Sequence, residues 1–372
     1  MRSMVPPQSE GQQSSSTRSR LGRRRVAAAP GVSLLRDPAW RASQGSIVLA
    51  YVLALVMFGA ITIDSPGFAA WSHVSVVLEQ AAILGFAAIG ETFVILGGGL
   101  DLSVPGMMST AGVIVARTAP SDGQLWKALP IVLVIAVVVG TVNGLIVAYL
   151  RAPPLIVTLG MNSVLAGGLL ASTQGLAGIG TVAKGVAQFA VGRVAGIPVC
   201  LLAWVVATAV VSWLLGRTNF GRSLYALGSN REAAALAGVR VLRVEAMTYV
   251  VSAIGSAIAG IMLAGYLGQA YADMGDGYLF TAITAVLLGG ALITGGSGHY
   301  VGTVAGALML LFLDGLLAVL NLGPAVLEIA YGCVILVSVG GTTLMTRHPR
   351  RLHAPEPAAS GAGTDVGVEG GS

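Results

Sequence analysis

The sequence predicts an all-α polytopic membrane protein of about ten transmembrane helices, some broken by Gly-rich re-entrant segments. Three observations predict it. Charged residues make up only 10% of the 372-residue chain and hydrophobic residues 55%, against about 25% charged in soluble domains, and mean hydropathy is +0.82. The apolar stretches are continuous and about as long as the ~20 residues a spanning helix needs, whereas a β-barrel would show short alternating segments. Glycine is abundant, at 52 residues, and small residues let membrane helices approach closely where lipid supplies no hydrophobic drive between them.

Residues 1–45 hold eight Arg against two acids. Their Ser, Gln, Arg and Pro content predicts a disordered basic tail, and the positive-inside rule places it in the cytoplasm. Arg23–Arg25 resembles a twin-arginine signal, yet the apolar run that follows is long enough to span, so an uncleaved anchor is expected. That first span is Ser46–Ile63, closed by the turn Asp64-Ser65-Pro66-Gly67. The second, Val74–Leu96, carries Glu79, Gln80 and Glu91, with Glu79 expected at a solvated outer interface. The third starts after Asp101 and ends near Arg117. The fourth is Leu129–Leu150, closed by Arg151-Ala152-Pro153-Pro154, and the fifth is Leu155 to about Thr173, interrupted by Gly160, Gly167 and Gly168.

A loop, Gln174–Ile197, is expected next, then a sixth span, Pro198–Leu215. After the polar stretch Gly216–Val244 come Ala246–Gly268 and Phe280–Gly290, the latter running into Gly295-Gly296-Ser297-Gly298. Val301–Leu320 and Ala325–Met345 complete the set. The transmembrane domain is thus 46–345, with a cytoplasmic loop at 217–245 and a Pro-, Ala- and Gly-rich tail at 346–372 read as disordered and cytoplasmic. Arg residues recur before the first span, at Arg151, in the 217–243 stretch and from Arg347 onward. With an even number of spans all four places share the cytoplasmic side, and both termini lie there. Cys200 and Cys333 sit singly in apolar runs and read as packing residues, and the four His show no metal-ligand spacing. Outside its N-terminal tail the chain has no basic excess, so nucleic acid is not an expected partner.

Two stretches carry chemistry. The first is GGGLDLSVPG, Gly97–Gly106. Gly97, Gly98 and Gly99 break the helical pattern, and Asp101 and Ser103 follow. Capping of the third helix is the first reading for that pair, and shaping an inner gate the second. Glu91 lies inside a span, where a carboxylate is costly and must face other helices or a water-filled path. It is read either as an interhelical hydrogen-bonding group or as a contact to substrate or gate. Asn143, Asn162 and Gln174 are further intramembrane polar groups able to bind hydroxyls. Asp314 and Glu328 are expected buried in structural pairs. A weak internal echo, GGALITGGSG from Gly289, also follows an apolar run, and broken helices in corresponding halves point to a transport path. Gly289, Gly290, Gly295 and Gly296 are its candidates.

The second is TNFGRSLYALGSNREAAALAGVRVLRVEA, Thr218–Ala246. Asn230 is placed to cap a short helix with Glu232 in its first turn, where the dipole favours an anion. Ala233–Ala237 favours helix, and Gly238 stops it. The segment reads as a docking surface or as a solvated connector.

These residues resemble the cytoplasmic coupling loop of ABC-transporter permeases, whose EAA–Gly signature is similar to Glu232-Ala233-Ala234…Gly238. More narrowly, GGGLDLSV, VNGLIVAYLRAPPLIVTLGM (Val142–Met161), FGRSLYALGSNREAAALAGV and VLLGGALITGGSGHYVGTVAGALML (Val286–Leu310) resemble, in chain order, the motifs of the ribose/simple-sugar importer permeases. Pro105, Gly106, Ala291-Leu292 and His299 depart from the usual pattern. The resemblance implies a permease subunit of an ATP-binding-cassette importer in the bacterial inner membrane, moving a pentose, hexose or related polyol. It implies a second permease subunit, identical or paralogous, one or more cytoplasmic ATPase subunits, and an extracytoplasmic sugar-binding protein. Gly221, Arg222, Gly228, Asn230, Glu232, Ala233, Ala234 and Gly238 would couple to the ATPase. Glu91, Gly97–Gly99, Asp101, Ser103, Asn162 and the glycines of the echo would line the path or gate. The chain has no G-x-x-x-x-G-K-[ST] run, so ATP is expected on the partner and no cofactor on this chain. A proton-coupled secondary transporter using Glu91 and Asp101 is the rival reading. A membrane enzyme would need a His cluster, paired acidic motifs or a nucleophile dyad, which the sequence lacks.

Overall fold

The computed structural model describes residues 38–175 and 178–347; most of the two tails, 1–37 and 348–372, lies outside the described residues. Helices α1 (Pro38–Asp64), α2 (Trp71–Leu96), α3 (Val104–Thr118), α4 (Leu125–Leu150) and α5 (Pro154–Thr173) come first. A short α6 (Lys184–Val191) and a two-residue hairpin, β1 (Arg193–Val194) with β2 (Ile197–Pro198), lead into α7 (Val199–Arg217). The coupling stretch forms α8 (Asn219–Ser229) and α9 (Arg231–Leu236). Then follow α10 (Val241–Leu267), α11 (Tyr278–Leu288), α12 (Tyr300–Val319) and α13 (Pro324–Arg347). Among the described residues seven helices are long and apolar enough to cross a membrane, and α11 and part of α13 form shorter apolar helices.

Helix α2 is the spine. Every residue from Ala81 to Leu96 is buried, as expected of a helix apolar on all faces. Helix α10 packs against α2, α3 and α4, α12 against α2, α1 and α11. Small residues set these distances. A Cβ on Gly90 would lie 2.2 Å from the Ser252 backbone of α10. Hydroxyls and ring nitrogens join the helices where no water can. Thr92 Oγ1 and Thr303 Oγ1 are 3.0 Å apart. Trp204 Nε1 donates to Tyr300 Oη (2.9 Å), which donates to the Gly85 carbonyl (2.8 Å).

Four expectations are corrected. The 174–197 loop contains α6, whose Val186 carbonyl and Ala190 methyl lie against Gly265 of α10. A helix of eight residues is marginal alone, and this contact holds it. Glu79 is not at a solvated interface: it is 3% exposed and paired with Arg193 of the hairpin at 3.4 Å. Asp314 and Glu328 are exposed rather than buried, and neither belongs to an ion pair among the described residues. Gln174 is not a group inside the bundle; it ends α5 in left-handed conformation, exposed.

The bundle has two distinct ends. At one, Trp71 Nε1 donates to Gly196 of the hairpin (2.9 Å). At the other lie α8, α9, the Arg151 corner and both glycine-rich breaks.

Candidate functional site

The break after α2 and the break after α11 are built alike. Gly98 (φ 86°) and Gly290 (φ 87°) take the left-handed conformation that a side chain would oppose. At the first, Gly98 N–H bonds the Ile95 carbonyl and Gly99 N–H the Val94 carbonyl, both at 2.9 Å. At the second, Gly290 N–H bonds Leu287 (2.9 Å) and Ala291 N–H bonds Val286 (3.2 Å). This is the same left-handed helix stop twice, so the echo seen in the sequence extends to the backbone.

The end of α8 lies across both breaks. Gly296 N–H donates to the Leu96 carbonyl at 2.9 Å, joining the two breaks directly. A Cβ on Gly228 would fall 1.9 Å from that same carbonyl and 2.4 Å from Gly296 N. Gly295 (φ 86°) approaches Gly98 N and the Gly228 carbonyl, at 2.8 and 3.1 Å from its own would-be Cβ. Tyr225 Oη donates to the Gly298 carbonyl (2.8 Å). Gly98, Gly228, Gly295 and Gly296 thus form one backbone junction, and Gly97 lies beside Leu224 of α8. Gly289 lies one turn away, against Gly302 of α12, and Gly221 is packed on the Leu215 carbonyl at the α7–α8 corner.

The predicted cap of α9 is present: Asn230 Oδ1 accepts Ala233 N–H at 2.9 Å, with Glu232 in the first turn. Gly238 (φ 84°) stops the helix. Ala234 is buried while Leu236 is 91% exposed. Arg231, absent from the sequence-based candidates, bonds Glu245 of α10 and the Ala148 carbonyl at the end of α4. A run of Arg in a polar loop gives no signal of which one turns inward. A cavity of about 570 Å³ opens here, lined by Gly98, Arg151, Pro153, Arg231, Glu232 and Glu245 among others. Arg222 bonds the Asn219 side chain on the surface.

Asp101 and Ser103 do not cap α3 through their side chains. Pro105 has no N–H to offer, and Gly106 N–H is taken by Asn162 Oδ1 of α5 at 2.8 Å. Asp101 Oδ1 instead accepts Ser103 N–H (2.9 Å) and Ser103 Oγ–H, a local turn of the kind Asp favours. Asn143 Nδ2 of α4 donates to Ser103 Oγ at 3.0 Å. Asp101 N–H faces both Glu91 carboxyl oxygens at 3.3 and 3.4 Å. Glu91, Asp101, Ser103 and Asn143 are at most 1% exposed. The network therefore pins the GGGLDLSVPG break to α2, α4 and α5.

A many-helix bundle with two matched glycine-rich breaks and a polar segment laid across them has the make-up of a membrane transport subunit. Residues 74–339 match the family described as branched-chain amino acid transport system / permease component, and the chain belongs to that family. It is 32% identical over 292 residues to the ribose import permease protein of Haemophilus influenzae, covering 78% of this chain and 90% of the relative. It is 35% identical over 281 residues to that of Bacillus subtilis (75% and 87%). The autoinducer 2 import system permease protein of Photorhabdus temperata is 30% identical over 275 residues (72% and 82%). No solved structure matches the chain.

Proposed function

We infer that the chain is the permease subunit of an ATP-driven, binding-protein-dependent importer of a simple sugar or related polyol. The observation that carries the coupling reading is the junction of Gly228 with Leu96 and Gly296. A displacement of α8 and α9 has no slack to lose before it reaches both breaks, because the contacts are backbone to backbone. Transport subunits need a bistable element that a remote event can bias, and the two glycine stops supply it. Ribose and autoinducer 2 import by the relatives favours a polyhydroxylated substrate over an amino acid, although the family description names the latter.

Exposed Leu236 beside Glu232 forms the face that meets the ATPase, and the Arg231–Glu245 pair transmits the load to α10. Helix α5, exposed along most of its length, faces the second permease subunit or the path between the two. Both termini and the coupling loop lie in the cytoplasm.

Glu232→Arg and Gly238→Leu test this by co-purification with the ATPase and by uptake. Both variants are expected in the membrane at normal abundance, with ATPase capture and uptake lost together. Full capture and full uptake in both would remove the docking assignment. The proton-coupled alternative has no structural support beyond two buried carboxylates, of which Glu91 faces the Asp101 N–H and Asp101 accepts the Ser103 N–H and hydroxyl.

A further inference from the structure

At the end of the bundle opposite the coupling helices, α2, α10, α11, α12 and α13 border a half-open cavity of about 320 Å³. Its polar lining is Gln80, Tyr266, Tyr278, Thr281, Asp314 and Tyr331. Gln80 Nε2 donates to Tyr266 Oη at 3.0 Å. Tyr266, Tyr278, Tyr331 and Asp314 all line this one space. Three phenols and a carboxylate therefore converge on one space. Leu84, Leu263 and Leu310 form its apolar floor.

The charge of this space is one-sided. Asp314 stands on its exposed side, and Glu328 precedes Tyr331 by three residues, one turn along α13. No Lys or Arg lines it, and the ion pairs among the described residues are elsewhere. The volume exceeds what a bare metal ion fills, and no cluster of metal ligands occurs among the described residues. Aromatic rings beside an acid are the chemistry that recognises organic ammonium groups. Tyrosines at helix ends, such as Tyr266 in the last turn of α10 and Tyr278 at the start of α11, also mark the depth of lipid headgroups.

We propose that this cavity binds an organic ammonium group, carried by an aminophospholipid headgroup or by a free amine, with Asp314 as its counter-ion and the three tyrosines as its walls. None of its lining residues belongs to the coupling junction.

The test is thermal unfolding of the full-length protein in detergent. Four probes are titrated: short-chain phosphatidylethanolamine, phosphatidylglycerol of the same chains, ethanolamine and ribose. Saturable stabilisation by phosphatidylethanolamine, by ethanolamine or by both is expected. Stronger action of the lipid assigns the headgroup, and stronger action of ethanolamine assigns a free amine. Asp314→Asn is expected to weaken binding by about ten- to a hundredfold, as loss of a charge-assisted hydrogen bond does. Asp64→Asn, at the same end on α1, should leave it unchanged. Tyr331→Leu removes one aromatic wall, is expected to weaken amine binding, and supplies a second readout should Asp314→Asn prove unstable. Equal stabilisation by phosphatidylglycerol, a ribose effect that Asp314→Asn removes, no effect of either amine, or amine binding indifferent to both cavity variants would overturn the proposal.

Discussion

Gly228→Ala adds one methyl group at the point where the coupling stretch meets both breaks. That carbon would sit 1.9 Å from the Leu96 carbonyl oxygen and 2.4 Å from Gly296 N, on top of the hydrogen bond those two groups make. Ordinary contact begins at 3.4 Å, so the backbone must give by about 1.5 Å. No flexible side chain is there to absorb the shift. Overpacking of this kind costs about 1–3 kcal/mol, and loss of the Leu96–Gly296 bond adds about 0.5–1.5 kcal/mol. A penalty of about 1.5–4.5 kcal/mol on the arrangement with the junction closed changes its population by roughly 10- to 2000-fold. ATP-dependent uptake should fall by more than tenfold while the ATPase still co-purifies, because α9 is untouched. Gly216→Ala, at the same end with nothing within 4 Å, is the control and should behave as wild type. Normal uptake by Gly228→Ala at normal membrane abundance would refute the transmission of movement through this junction.

Other perturbations separate the remaining roles. Glu91→Gln keeps an acceptor for Asp101 N–H and should leave ATP-driven uptake nearly unchanged; a collapse of uptake would favour proton carriage by Glu91. Asp101→Ala strands the buried Ser103 N–H, a loss of about 1–3 kcal/mol read as lower thermal stability, whereas Asp101→Asn should restore most of it; equal stability of wild type and both variants would remove the pinning role. Arg231→Ala leaves Glu245 without its ion pair and frees the Ala148 carbonyl, so ATPase capture should persist while uptake drops. Capture and uptake lost in equal measure would place Arg231 in the docking face itself.

The spans were legible because continuous apolar runs have few other uses, and the α9 cap because Asn230, Glu232 and Gly238 are local signals. Asp101 misled for a physical reason. A short acid before a helix reads as a cap, but Pro105 removes one of the N–H groups it would serve and Asn162, 56 residues on, takes another. Glu79 misled in the same way, since its partner Arg193 lies in a hairpin 114 positions away. Helix α6 was invisible because its stability comes from Gly265 of α10 rather than from its own sequence. Gly98, Gly228, Gly295 and Gly296 each stand out in the sequence, yet nothing in one sequence says that they meet.

Uptake into proteoliposomes holding this chain with its ATPase, supplied with ribose and a ribose-binding protein, tests the central claim most directly. Accumulation that requires internal ATP at the ATPase face and survives a protonophore is the predicted result. Accumulation driven by a proton gradient without ATP would contradict it.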